Sequence, residues 1–117
     1  MNVSQIDARI KFLRKERPHA PDGSQLAQTS WAYDLDGQTV CIVTDKYLMH
    51  DWDVDESQII EAGRVFIKSK LQEKWVPSRE SNRLVLDQQE LTPISKSLGW
   101  SPASSKRDTK IDADSSN

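Results

Sequence analysis

The acidic run from His50 to Glu56 holds the side chains that could most directly do chemistry. Asp51, Asp53 and Asp55 have the spacing of the first three ligands of a calcium-binding loop. Glu56, however, stands where that loop requires a glycine, and an alanine stands where it requires a bidentate glutamate. We therefore expect no metal here, and we interpret these acids as groups that stabilise the positive end of a following helix.

His50 beside Asp51 is the pair most similar to an oriented general base, and it raises the hypothesis of a small hydrolase that uses His50 and the nearby acids. Neighbours in an extended segment point to opposite faces, however, which disfavours the pairing. Two histidines, His19 and His50, and one cysteine are too few for a zinc site. Cys41 lies in the most apolar run, where burial blunts a thiol, so we interpret it as a small hydrophobic residue. These residues together favour a protein without cofactor or catalytic activity.

Composition excludes several broad classes. The 117 residues are 36% hydrophobic and 29% charged, with a formal net charge of −2, which excludes a uniformly basic nucleic-acid coat. The longest apolar stretch is four residues, 40–43, far short of a membrane span. A single cysteine forms no intrachain disulfide and suits a reducing compartment, so we predict a cytoplasmic location.

The chain divides by composition into one predicted domain, 1–100, and a tail, 101–117. The tail contains serines and charged residues with only three apolar side chains, Ala103, Ile111 and Ala113. Such a segment cannot bury enough surface to offset its ordering entropy, so we predict that it is disordered.

Residues 3–17 have the pattern of an amphipathic helix. Val3, Ile6, Ile10 and Leu13 recur at helical spacing, and Pro18 ends the segment. On this helix the basic residues lie away from the apolar stripe: Lys11, Arg14 and Lys15.

A β-hairpin is predicted over 29–44. Asp36-Gly37 tolerates the two positive φ angles of a type I′ turn. A two-residue loop pairs Leu35 with Gln38 and places five apolar side chains on one core face: Trp31, Tyr33, Leu35, Val40 and Ile42. A third extended piece is predicted over 47–52.

The segment 55–75 predicts the main core helix. Asp55 and Gln58 have the spacing of a capping box, and a wide apolar arc follows. Gly63 lies at the centre of that arc, where a close backbone approach to the sheet or to a crossing helix would explain a glycine.

Two interpretations compete for the C-terminal helix, after a short strand at 83–86. In one, Asp87 caps the helix; in the other, which we prefer, Thr92 caps it with Pro93 at the first helical position. The predicted fold is α+β, a small antiparallel sheet packed on helices in the order α-β-β-(β)-α-β-α.

Phe12 lies opposite the apolar stripe of the predicted first helix, with Lys11 and Lys15 beside it. An exposed aromatic side chain with a basic rim is typical of a protein-binding surface and favours a partner with an acidic patch. We therefore expect a small regulatory protein of the inhibitor, immunity or adaptor type. The alternatives are a nucleic-acid-binding protein that uses the basic first helix and, third, the hydrolase above.

Overall fold

The computed structural model describes residues 8–17, 21–24 and 27–100. Four strands form one sheet whose spatial order follows the chain: β1 (Ile10–Glu16), β2 (Gln28–Leu35), β3 (Gln38–Asp45) and β4 (Arg83–Val85). Within these ranges the helices are α1 (Leu48–Trp52), α2 (Glu56–Gln72) and α3 (Gln88–Ser97). The α+β class is confirmed, and the order of these described elements is β-β-β-α-α-β-α.

The hairpin of β2 and β3 has the predicted register, with Leu35 opposite Gln38 and Trp31 opposite Ile42. Asp36 and Gly37 have φ angles of 56° and 86°, as a type I′ turn requires. The predicted core face is also confirmed, because its side chains are each at most 2% exposed: Trp31, Tyr33, Leu35, Val40 and Ile42.

Helix α2 is the predicted core helix. The Asp55 carboxylate accepts a hydrogen bond from the Gln58 backbone N–H, and the Gln58 side chain accepts one from the Asp55 N–H, which completes the capping box. Ile59, Phe66 and Ile67 are buried against the sheet. The helix ends at Gln72, before Pro77. The backbone N–H of Trp75 donates to the Lys70 carbonyl at 3.0 Å and so satisfies one of the free carbonyls of the last turn.

The prediction of a helix over 3–17 is wrong from Ile10 onward, because Ile10–Glu16 forms β1, antiparallel to β2. This segment fits two periods. Ile10 and Leu13 suit a helix, but Ile10 and Phe12 also alternate with polar residues as a strand requires. Pairing with β2 decides between them, since tertiary contacts override a weak local preference. Residues 3–7 lie outside the described part of the chain.

Three further predictions need correction. Residues 48–52 form a helical turn instead of a strand, with Leu48 and Trp52 both buried at i and i+4. Strand β4 lies parallel to β3, so the sheet is mixed, as a helical crossover between two strands allows. Asp87 rather than Thr92 caps α3, and Pro93 lies inside that helix. The tail, 101–117, falls outside the described residues.

Candidate interaction site along strand β1

Strand β1 is at one edge of the sheet and is paired with β2 alone in the part of the chain that the structure describes. The backbone groups of alternate residues in an edge strand therefore point away from the sheet. The carbonyl of Ile10 is one of these groups, and it accepts a hydrogen bond from Arg64 Nε of α2 at 3.2 Å. This open edge gives the strand hydrogen-bonding capacity that the sheet itself does not use.

A β-bulge at Leu13 determines which side chains share a face. Phe12 is opposite Tyr33 and Arg14 is opposite Ala32, so Leu13 is the additional residue on β1. The bulge puts Phe12 and Lys15, three residues apart, on the same side of the sheet, which is the side covered by α2. The side chain of Leu13 is left 46% exposed.

Phe12 is half-buried and packs on the aromatic residues of β2. Its ring centroid is 5.4 Å from that of Tyr33, edge to face, and 6.3 Å from that of Trp31. One side of the ring is thus attached to the core. The other borders a shallow groove of about 510 Å³ between β1 and α2, which Ile10, Glu61 and Arg64 also line.

Lys15 joins β1 to the start of α2. Its ammonium lies 5.9 Å from the centroid of the Trp31 ring and forms an ion pair with Glu56, in the first turn of α2. A second cleft, of about 240 Å³, opens beside this pair, with Trp31 and Thr44 at its buried base. Trp31 Nε1 donates a hydrogen bond to Thr44 Oγ1 at 2.9 Å, so the indole N–H at the base of the cleft already has a partner within the protein.

Lys11 is on the opposite side of the strand from Phe12, across from Asp34, and its side chain is exposed. The three residues predicted as a partner-binding surface therefore share one edge strand rather than one helical face. Residues 11–17 carry four basic side chains and one acidic one: Lys11, Arg14, Lys15, Arg17 and Glu16. Arg14 pairs with Glu16 at 2.7 Å, whereas Lys11 has no ion pair with another described residue.

The other residues considered for chemistry are placed apart from this edge. His50 is exposed on α1, and the neighbouring Asp51 accepts a hydrogen bond from Gln88 of α3 at 3.3 Å. Asp55 caps α2, as interpreted from its sequence position, and Asp53 ends α1 with a φ of 53°. Cys41 is half-buried on the sheet face away from α2. His19 lies outside the described residues.

The Asp55 carboxylate accepts two hydrogen bonds, one from a backbone N–H and one from a side-chain hydroxyl. The Gln58 N–H at 2.9 Å, together with the Ser57 hydroxyl at 2.8 Å, holds the pKa of Asp55 below its usual range. Both bonds are accepted by Oδ1, which thus serves the helix terminus. Among residues 8–17, 21–24 and 27–100, no cluster of three or more histidine, cysteine or acidic side chains could hold a metal ion. None of the helices in these ranges has the length and apolar character needed to cross a bilayer.

The α2 residues of this site were not predicted from the sequence. Arg64 is hydrogen-bonded to Ile10, which lies 54 positions earlier in the chain, and Glu56 forms an ion pair with Lys15, 41 positions earlier. Both are ordinary polar residues in an amphipathic helix, so no local signal marks them. A scan against family models and searches of curated proteins and solved structures found no match to this chain.

Proposed function

We propose that this protein acts by binding another protein, and that the edge of β1 around Lys11, Phe12 and Lys15 is the binding surface. The observation that supports this most directly is the combination of an open strand edge, an exposed Leu13 and a local excess of positive charge. Open edges with exposed apolar side chains are sites where proteins pair with other chains.

The charge of the edge favours an acidic partner. Lys11 and Arg17 are exposed, and neither forms an ion pair with another described residue. Charged residues at the rim of a binding surface accelerate association with a partner of opposite charge. The partner that this surface suits is therefore a protein with an acidic segment.

Selection from a displayed library of random peptides, with the full-length chain as bait, tests the proposal. We expect the selected peptides to be enriched in aspartate and glutamate, and Lys11→Glu to weaken their binding about tenfold, since one favourable charge contact becomes repulsive. Arg79→Glu is the matched control, because Arg79 is exposed in the loop before β4. Selected peptides without acidic enrichment, or equal binding by Lys11→Glu, would contradict the proposal.

Nucleic-acid binding through the same basic residues is the competing function. The helix on which that hypothesis was based is a strand from Ile10 onward. Titration of single-stranded DNA and double-stranded RNA at several salt concentrations separates the two functions. Tight binding with a steep salt dependence that Lys11→Glu reduces would replace protein binding by nucleic-acid binding.

A further inference from the structure

We infer that the partner binds as an additional β-strand on β1, through a segment in which acidic and apolar residues alternate. This inference rests on the proposed function and specifies how that surface recognises its partner.

The pairing of the hairpin determines which backbone groups of β1 point outward. Leu35 closes the turn with Gln38, so alternate residues of β2 from Leu35 bond to β3 and the intervening ones bond to β1. Asp34 and Ala32 are among the latter, and they are opposite Lys11 and Arg14. The backbone groups of Ile10, Phe12 and Lys15 consequently face away from the sheet. The hydrogen bond from Arg64 to the Ile10 carbonyl agrees with this direction.

The two faces of β1 define the side-chain pattern of an added strand. On the α2 side the strand would lie along the groove beside the half-buried Phe12 ring, which the paired side chains of Glu61 and Arg64 also border. On the other side it would meet Lys11 and Arg14, which are both exposed. Successive side chains of a strand point to opposite faces, so a segment that alternates apolar and acidic residues matches both.

A second copy of this chain is a poorer occupant of the edge. Two β1 edges placed side by side would bring the basic residues of both strands together, and like charges on adjacent strands are destabilising. The opposite edge of the sheet, β4, has only three residues and begins with Arg83, so it is short and also carries positive charge. The lysines of β1 therefore disfavour pairing with a second basic edge.

Arg64 occupies the position of the partner's first backbone donor. Its guanidinium donates to the Ile10 carbonyl and, at 2.6 Å, to the Glu61 carboxylate. A strand that pairs with Ile10 must displace this side chain. Replacing Arg64 by methionine should therefore strengthen binding by strand addition, whereas a partner held only by side-chain contacts gains nothing from the change.

The first test uses three eight-residue peptides of alternating glutamate and valine with the full-length chain. One is unmodified, one is N-methylated at every glutamate amide, and one at every valine amide. In an extended peptide, the N–H groups that point to one edge belong to every second residue. The glutamate N–H groups therefore point to one edge and the valine N–H groups to the other, so only one methylated isomer places its methyl groups against β1. We expect that isomer to bind at least tenfold more weakly than the other, as measured by isothermal titration calorimetry.

The second test compares variants with the unmodified peptide. Arg64→Met should bind it several-fold more tightly than wild type, and Arg79→Met, the control, should bind it equally well. In amide hydrogen-exchange measurements by NMR, the peptide should slow exchange at Phe12 and Lys15, whose N–H groups face outward.

The outcomes distinguish the mode of binding from the function itself. Equal binding of the two methylated isomers, with unchanged exchange at Phe12 and Lys15, would overturn strand addition and leave protein binding intact. No binding of any acidic peptide, together with a library selection insensitive to Lys11→Glu, would overturn both.

Discussion

The hydroxyl of Tyr33 occupies the space that a Cβ at position 63 would need. This hydroxyl donates to the Ile60 carbonyl at 2.7 Å, so β2 is bonded to the first half of α2 at the point where Gly63 lets the helix approach closely. The glycine predicted to permit a close approach does so, and its neighbour is the phenol of one core tyrosine.

We expect Gly63→Ala to lower the free energy of unfolding. Overpacking at Tyr33 costs about 1–3 kcal/mol, and the better helix propensity of alanine returns about 1 kcal/mol. In urea denaturation, Gly63→Ala should lower the free energy of unfolding by less in a Tyr33→Phe background, because the overlapping oxygen is removed. The ring carbon that carried this oxygen still crowds position 63, so we expect only partial rescue. A Gly63→Ala protein more stable than wild type would show that the helix shifts freely.

Stability should decline at alkaline pH through Tyr33. Burial raises the pKa of this phenol well above its ordinary value. The folded state therefore favours the neutral phenol, and its stabilising contribution is fully present below the unfolded-state pKa of about 10 and is lost as pH rises above it. Thermal melting between about pH 8 and pH 11 should fall less steeply for Tyr33→Phe than for wild type. Tyr47→Phe is the matched control, because Tyr47 is 56% exposed. A decline that Tyr33→Phe leaves unchanged would assign the effect to other groups.

Asp55 should contribute to stability at neutral pH and lose that contribution in acid. The Gln58 N–H and then the Ser57 hydroxyl lower the pKa of its carboxyl group, so the folded state favours the carboxylate. The contribution is present above the unfolded-state pKa of about 3.9 and disappears as pH falls below it. Asparagine is also a good helix cap but does not titrate, so Asp55→Asn should keep α2 capped and show a smaller loss of melting temperature between about pH 5 and pH 2. An acid-induced loss identical to that of wild type would contradict this assignment.

Helices α2 and α3 are each followed by a residue with a positive φ, a lysine in one case and a glycine in the other. Substitution of these two residues should change the free energy of unfolding in opposite directions. Lys74 follows α2 with a φ of 75°, and Gly99 follows α3 with a φ of 76°. Because a left-handed conformation costs an L-residue about 1–2 kcal/mol, Lys74→Gly should stabilise the protein by about 0.5–1 kcal/mol and Gly99→Ala should destabilise it by a similar amount. Chemical denaturation of both variants measures this, and a destabilising Lys74→Gly would show that the lysine side chain contributes more than its backbone costs.

The elements that were predicted correctly carry their signal within a few residues. The type I′ turn at Asp36-Gly37 determines the register of the hairpin, and the capping box of Asp55 and Gln58 determines where α2 begins. The preference for Thr92 over Asp87 as the cap of α3 failed because the Asp87 carboxylate accepts the capping bond from the Glu90 N–H, and the helix continues through Pro93.

The candidate site was predicted only in part. Lys11, Phe12 and Lys15 were identified as a group from their types and proximity. Their arrangement was not, since a helix would have put Phe12 opposite Ile10, whereas the strand puts both on the α2 side. The exposed Leu13 was assigned to the apolar stripe because nothing in the local sequence marks a bulge.

The sequence by itself determined the hairpin, the core helix and the α+β class, because turn chemistry, capping and hydrophobic period act over a few neighbouring residues. Only the tertiary structure decided that residues 10–16 are an edge strand and that Arg64 and Glu56 lie beside it. The physical reason is that this segment is compatible with both a helix and a strand, and the free energy that separates them comes from pairing with β2 and packing of Phe12 on Trp31 and Tyr33. Those contacts join residues that are far apart in the chain, and no local pattern encodes them.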